Sequence, residues 1–309
     1  MKILVTGGAG FIGSQVVDKY IEEGHTVIVV DSLVTGHEKN LHPQATFYNC
    51  DITSPKLLEI FQKEKPDIVN HHAAQMNVRR SIEEPVYDAQ TNVVGLINVL
   101  SCAIETKVKR FIFISSGGAM YGDAPILPTP EETDPMPLSP YGLAKHIGEQ
   151  YVELYHRLYG MSYVILRYAN VYGPRQNPEG EAGVIAIFID NMLNGKKATI
   201  FGDGEQTRDY VYVADVVAAN SKAVAAGENK ILNLGTGREV SVLELHSVIQ
   251  EILLVSEKPE FAEKRHGEVF RGALNCTAAE NILSWKATVD LKKGIEKTVQ
   301  WFKEQRGTQ

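Results

Sequence analysis

Lys2-Ile3-Leu4-Val5-Thr6-Gly7-Gly8-Ala9-Gly10-Phe11-Ile12-Gly13 is the stretch from which the fold can be read. Residues 2–6 are an apolar run of strand length, and the glycines follow without a gap. Phe11, Ile12, Val16, Val17, Tyr20 and Ile21 then recur at helical spacing to about Glu23. Strand, glycine turn and helix in that order are the setting of a dinucleotide fingerprint. In such a turn Gly7 lets the chain reverse, Gly10 lets the backbone approach a pyrophosphate, and Gly13 lets the helix lie close to the strand. The helix N-terminus offers free N–H groups and a positive dipole end to the phosphates. Gly7, Gly10, Phe11, Ile12 and Gly13 are therefore cofactor-binding candidates. Their spacing is Gly-x-x-Gly-x-x-Gly rather than Gly-x-Gly-x-x-Gly.

The next strand strengthens this reading. Thr26-Val27-Ile28-Val29-Val30 is β-branched and ends at Asp31, 18 residues beyond Gly13. An acid at that point accepts hydrogen bonds from an adenosine ribose, and its charge repels a 2′-phosphate. Ser32-Leu33-Val34 follows with no arginine, so NAD is favoured over NADP.

The 309 residues can bury a substantial core, in one large domain plus a smaller one. A net charge of −7 argues against a nucleic-acid partner, because no basic stripe is available to displace counterions. No apolar run is long enough to cross a membrane. The chain enters a strand almost at once, so no signal peptide is expected and the cytoplasm is the expected compartment. Cys50, Cys102 and Cys276 lie far apart without metal-ligand spacing, which fits buried thiols in a reducing compartment and no metal site.

Farther along, Ala45–Cys50 reads as a third strand closed by Asp51-Ile52, where an adenine edge could be contacted; Asp51 could equally cap a helix starting near Pro55. Asp67–Ala74 is a fourth strand whose Ala73 and Ala74 leave room for a cofactor to pass. His71 and His72 read as core or cofactor-lining histidines. A long helix is expected from about Pro85 to Thr106, carrying Asn92, and an apolar strand over Arg110–Ile114. That strand ends in the crest Ser115-Ser116-Gly117-Gly118-Ala119-Met120-Tyr121-Gly122. A proline-rich loop leads to a helix from Tyr141 to about Tyr159. Alternation of this kind predicts a doubly wound parallel sheet with right-handed crossovers. After Val164–Arg167 the rhythm breaks. Residues 1–170, with a return segment near 205–232, are expected to form the dinucleotide-binding domain. Residues 171–204 and 233–309 are expected to form a smaller mixed α/β domain that closes over the sheet's carboxyl edge.

Tyr141 and Lys145 stand four apart at a helix start, so their side chains share one face. A tyrosine ionises near pH ~10, too high for a base at neutral pH. A lysine ammonium and a positive nicotinamide ring close by would lower that value. Behind a nucleotide-binding half and beside a Ser-Ser crest, the pair reads as a hydride-transfer site.

Taken together, these motifs resemble the extended short-chain dehydrogenase/reductases, and among them the nucleotide-sugar epimerases. The resemblance rests on Gly7-x-x-Gly10-x-x-Gly13, Asp31, Asp51-Ile52, Asn92, Tyr141-Gly-Leu-Ala-Lys145 and Arg167-Tyr168-Ala169-Asn170-Val171-Tyr172-Gly173-Pro174. It extends to Gly202–Val211, Asn233–Gly237 and Arg265-x-x-Glu268. It implies NAD as cofactor and a UDP-hexose as substrate, with UDP-glucose and UDP-galactose interconverted through a 4-keto sugar. On this resemblance Tyr141 is the base, Lys145 holds the nicotinamide ribose, and Asn92 and Tyr168 contact the cofactor. Asn170, Arg208 and Arg265 hold the sugar diphosphate, and Glu268 holds the nucleoside ribose. The resemblance also implies a homodimer, paired through the helices at about 85–106 and 141–159.

One departure matters. The family places a serine or threonine four residues before the crest tyrosine, hydrogen-bonded to the sugar's 4-oxygen, and this chain has Gly117 there. Either Ser116 or a bound water takes the role, or Tyr141 acts without that partner, at a cost on the order of 2–3 kcal/mol. Dehydratases and decarboxylases of the same kind carry acids at this crest. Gly117-Gly118-Ala119 has none, which disfavours elimination and leaves epimerisation. Gly272 falls where larger residues would exclude a 2-acetamido group, so N-acetylated sugars also fit.

Overall fold

The computed structural model describes residues 1–178, 183–264 and 269–307. Seven strands make one sheet: β1 (Lys2–Thr6), β2 (Thr26–Asp31), β3 (Thr46–Asn49), β4 (Ile68–His71), β5 (Arg110–Ser116), β6 (Ser162–Tyr168) and β7 (Lys230–Leu234). Their order is β7-β6-β5-β4-β1-β2-β3 and every neighbouring pair is parallel. All carboxyl ends therefore meet at one edge. The order reverses between β1 and β4, and ligands of open parallel sheets bind at such a crevice. Apart from the edge strand β3, the strands are buried on both faces, as a helix-covered parallel sheet requires.

Side-chain alternation divides the core. Ile3 and Val5 face the Phe11–Glu22 helix, through Val16, Val17 and Tyr20, and the Val213–Ala223 helix behind it. Leu4, Val69, Phe111 and Phe113 face the Leu57–Glu64, Gly95–Glu105 and Pro140–Tyr159 helices on the other side. Each fully buried Val, Leu or Phe contributes about 1.5–3 kcal/mol.

The expected long helix is three segments running on from one another, Pro85–Ala89, a π-helical Gln90–Val94 and Gly95–Glu105. β7 is a strand that sequence periodicity does not separate. Lys230-Ile231-Leu232-Asn233-Leu234 is short and carries two polar residues, yet it pairs with β6 and extends the returning segment to Leu234. Beyond β6 the described residues make three two-stranded sheets: Asn170–Tyr172 with Tyr210–Tyr212, Thr207–Arg208 with Val240–Ser241, and Thr199–Phe201 with Glu260–Ala262. Their hydrophobic residues join the first-helix face of the core without a break, out to Phe302. Among the described residues no helix is long and apolar enough to cross a membrane.

Candidate active site

Each fingerprint glycine has a separate structural reason. Gly7 has φ +70°, and a Cβ there would lie 2.6 Å from the Ala73 backbone nitrogen. A Cβ on Gly13 would stand 2.3 Å from the Gly7 carbonyl oxygen, so helix and turn touch only because it is absent. Around Gly10 the nearest neighbour is that same carbonyl at 3.2 Å, which leaves a face open. No side chain caps the Phe11–Glu22 helix, so its first N–H groups are left for an anion. Asp31, at the end of β2, accepts from the Ala9 and Leu33 N–H groups at 2.9 and 2.8 Å. Its carboxylate thus tightens the glycine turn and keeps lone pairs for a ribose.

Past β4, the Ala73 N–H donates to Thr6 at 3.2 Å, and Ala73 and Ala74 form a side-chain-poor floor at the switch point. Asn92 braces this floor from behind. Its amide oxygen accepts from the Gln75 N–H at 2.9 Å, and its amine donates to the Gln75 carbonyl and the Asp88 carboxylate at 2.8 and 2.9 Å. With both N–H donors committed, Asn92 acts through the placement of residues 73–75. Asp51 caps no helix. It closes a turn by accepting from the Thr53 N–H and hydroxyl, and the helix starts only at Leu57. The Ile52 carbonyl accepts from Asn98, and its side chain packs into the space left by Gly95.

Tyr141 and Lys145 lie on the Pro140–Tyr159 helix, which begins with Ser139 accepting from the Gly142 N–H. Ser116, the last residue of β5, stands beside Tyr141. Burial pushes the Tyr141 phenol up to about 12; the neighbouring Ser116 hydroxyl opposes this and the Asp88 charge adds to it. Lys145 donates to the Ile114 carbonyl at 2.9 Å, and its Nζ lies 5.9 Å from the centre of the Tyr141 ring. Burial draws the lysine down to about 8, while Asp88 and Glu149 hold it up. In the protein alone burial therefore sets the phenol high, and the expected lowering concerns the site with oxidised NAD bound.

A narrow cleft beside the crest is lined by Gly117, Gly118, Asn170, Arg208, Gly272 and Leu274. Asn170 is exposed, and its amide oxygen would lie 3.0 Å from a Cβ on Gly118. The Arg208 guanidinium donates to the Thr207 carbonyl at 2.8 Å and makes no ion pair among the described residues. A neighbouring cavity of about 240 Å³ is bounded by Phe201, Gln206, Lys264 and Phe270. Arg265 and Glu268 lie outside the described residues. Tyr168 does not reach the cleft. It points into the opposite face of the sheet, where its hydroxyl accepts from Asn220 within a buried group that includes Tyr20 and Asn70.

The sequence model of the NAD dependent epimerase/dehydratase family matches residues 3–235. A UDP-glucose 4-epimerase of Mycolicibacterium smegmatis is 42% identical over 98% of this chain and 99% of its own. The crystal structure of UDP-glucose 4-epimerase with UDP-glucose from Thermotoga maritima superposes with a TM-score of 0.98 at 48% identity, covering 99% of this chain and 100% of that one. The Thermus thermophilus UDP-glucose 4-epimerase in complex with NAD gives 0.94 at 38% identity, covering 98% and 99%.

The chain belongs to the NAD-dependent epimerase/dehydratase family. NAD is its cofactor, and the open face at Gly10, the uncapped helix start and Asp31 fit the group. Neither histidine is arranged as a ligand. His71 hydrogen-bonds Thr6 at 2.8 Å and stacks on Phe113, and burial holds His72 down at about 3. Among the described residues no three His, Cys, Asp or Glu could hold a metal.

Sequence reasoning misses the supports of this family site. Asp88 is buried beneath Gln75 and Asn92, in electrostatic reach of Lys145. Glu149 forms a buried pair with Arg167 at 2.6 Å, and Arg167 also holds Tyr121. Arg175 clamps its loop to the first helix through Asp18 at 2.7 Å and Ser14 at 3.1 Å. A charged residue at helical spacing announces no buried partner, since the partner comes from a distant strand or loop.

Proposed function

We propose that the chain is a UDP-hexose 4-epimerase interconverting UDP-glucose and UDP-galactose. The observation that carries this reading is Tyr141 beside Ser116, with Lys145 one helical turn on, at the carboxyl edge of an NAD-binding sheet. Tyr141 takes the proton from the sugar's 4-hydroxyl, and Ser116 orients the two oxygens. Bound NAD would supply reversible hydride acceptance at C4, so no external oxidant would be consumed. Lys145 holds the nicotinamide ribose and keeps positive charge beside the phenol. Arg208, at the cleft wall, suits a phosphate by its forked geometry, and Asn170 contacts the sugar diphosphate from the opposite lip. The cavity at Phe201 and Gln206 takes the base, with Arg265 and Glu268 assigned to the diphosphate and ribose by resemblance.

Elimination of water or carbon dioxide would call for an acid at the crest, and Gly117-Gly118-Ala119 supplies none. The N-acetylated pair is a second substrate, favoured by one observation: a Cβ on Gly272 would meet nothing nearer than Val269 at 3.9 Å. Exposed Val86, Val94, Leu143 and Leu158 on the 85–105 and 140–159 helices support a homodimer built on those faces.

The test is incubation of the NAD-loaded protein with UDP-galactose without oxidant. NMR should show UDP-glucose accumulating, and Tyr141→Phe should abolish turnover with NAD still bound. Failure across a panel of UDP-hexoses would remove the proposal.

A further inference from the structure

We infer that Leu274 decides which crest residue presents a hydroxyl to the reacting oxygen: its side chain fills the volume that any side chain at position 117 would need, and the task therefore falls to Ser116. This rests on the reading of Tyr141 as the base. A Cβ built on Gly117 would lie 2.7 and 2.9 Å from the two Leu274 methyls and 3.4 Å from its Cγ. Real side chains do not approach that closely, so one of the two must give way.

Leu274 has little freedom to do so. It is 3% exposed within the core. Its N–H donates to the Asp209 carboxylate at 3.2 Å. That carboxylate is itself fixed by the Thr236 N–H and hydroxyl and by the Gly237 N–H. On the far side Leu274 bridges to Thr129, whose N–H donates to Ala273 at 2.8 Å and whose carbonyl accepts from Asn275 at 2.9 Å. With its backbone pinned from both sides, Leu274 could yield only by rotating its methyls. Leu274 also lines the crest cleft, so rotation would take space from the sugar. Gly117 and Leu274 are thus a matched small-and-large pair. The crest turns at Gly117 into the short Gly117–Met120 helix. Ser116, one residue earlier, is left as the hydroxyl against Tyr141.

The experiment is a cycle of Gly117→Ser, Leu274→Ala and the double variant, with Ser116→Ala placed in the wild-type and double backgrounds. Melting temperatures test the steric claim independently of any activity. Gly117→Ser alone should melt about 5 °C lower, as overpacking does, and the double variant should melt no lower than Leu274→Ala alone. Purely additive losses would overturn the claim. Turnover tests the assignment. Ser116→Ala should cost about a hundredfold in kcat in the wild type. In the double variant it should cost less than about tenfold, because the hydroxyl introduced at position 117 then has room to reach the reacting oxygen. Equal losses in the two backgrounds, or no loss in the wild type, would overturn it while leaving the epimerase reading intact. A wild type that turns over no UDP-hexose would instead sink that reading, and the melting cycle would still decide the steric claim.

Discussion

Gly10 and Gly13 are three residues apart in one turn, and the structure predicts opposite consequences for adding a methyl group to each. At Gly13 the new carbon would stand 2.3 Å from the Gly7 carbonyl oxygen and 3.0 Å from its carbonyl carbon. Both are backbone atoms, so the helix must back away from the turn by roughly an ångström to reach ordinary contact. Overpacking of this kind costs about 1–3 kcal/mol, and the better helix propensity of alanine returns about 1. The net loss is about 0–2 kcal/mol, a fall in Tm of up to roughly 6 °C. At Gly10 the nearest neighbour is that carbonyl oxygen at 3.2 Å, and the residue precedes the helix in extended conformation. Gly10→Ala should change Tm by no more than about 2 °C. The methyl group would, however, stand on the open face where the pyrophosphate approaches. NAD should bind at least tenfold more weakly, about 1.4 kcal/mol. Melting of the NAD-stripped variants and fluorescence titration with NAD separate the two effects. If Gly10→Ala binds NAD as tightly as the wild type, the assignment of that face to the cofactor is wrong.

Three further outcomes follow from the buried charges. Glu149→Gln should lower unfolding free energy in urea by about 3 kcal/mol, because Arg167 keeps its charge in the core without a counter-ion; unchanged stability would show the pair to be dispensable. The ultraviolet difference titration between wild type and Tyr141→Phe should place the Tyr141 midpoint near 12 in NAD-free protein, and lower with oxidised than with reduced cofactor; equal midpoints would contradict the charge argument. His72 is held at about 3 when folded and returns to its ordinary 6.5 when unfolded, so between these pH values the unfolded chain binds the extra proton. Stability should therefore fall by about 1.4 kcal/mol per pH unit as pH drops through that window, and His72→Phe should remove one proton's worth of the slope.

The sheet is legible in the sequence where side-chain pattern and local geometry coincide. β1, the glycine turn and the first helix are read from one continuous stretch because each requirement is local. Tyr141 and Lys145 are legible for the same reason, since four residues of helix place them on one face. The direction of Tyr168 is not legible, because a strand's alternation decides it, and at the end of β6 that alternation turns its hydroxyl toward Asn220. Asn92 supports Gln75 instead of reaching outward, across from a π-helical turn to the loop after β4, and no spacing encodes that contact. β7 escapes because it is short and Lys230 and Asn233 interrupt its apolar run. The Gly117 departure is visible in the sequence, but its cause is not, because Leu274 arrives from the far end of the chain.

The charges at the crest explain why the site is buried at all. Lys145 near 8 remains largely an ammonium at neutral pH, yet it is engaged by the Ile114 carbonyl and does not by itself make a phenolate of Tyr141. Desolvation penalises the phenolate and magnifies every nearby charge by the same lowering of the dielectric. Tyr141 consequently stays a phenol until a further positive charge stands next to it, and the oxidised nicotinamide brings one. Loss of that charge on reduction would leave Tyr141 with the preference for a proton that burial gives it. Proton affinity at residue 141 thus rises and falls with the oxidation state beside it. A phenol kept high by burial suits a reversible oxidation better than a permanently ionised one would, because proton and hydride leave the sugar together and are held together until both return.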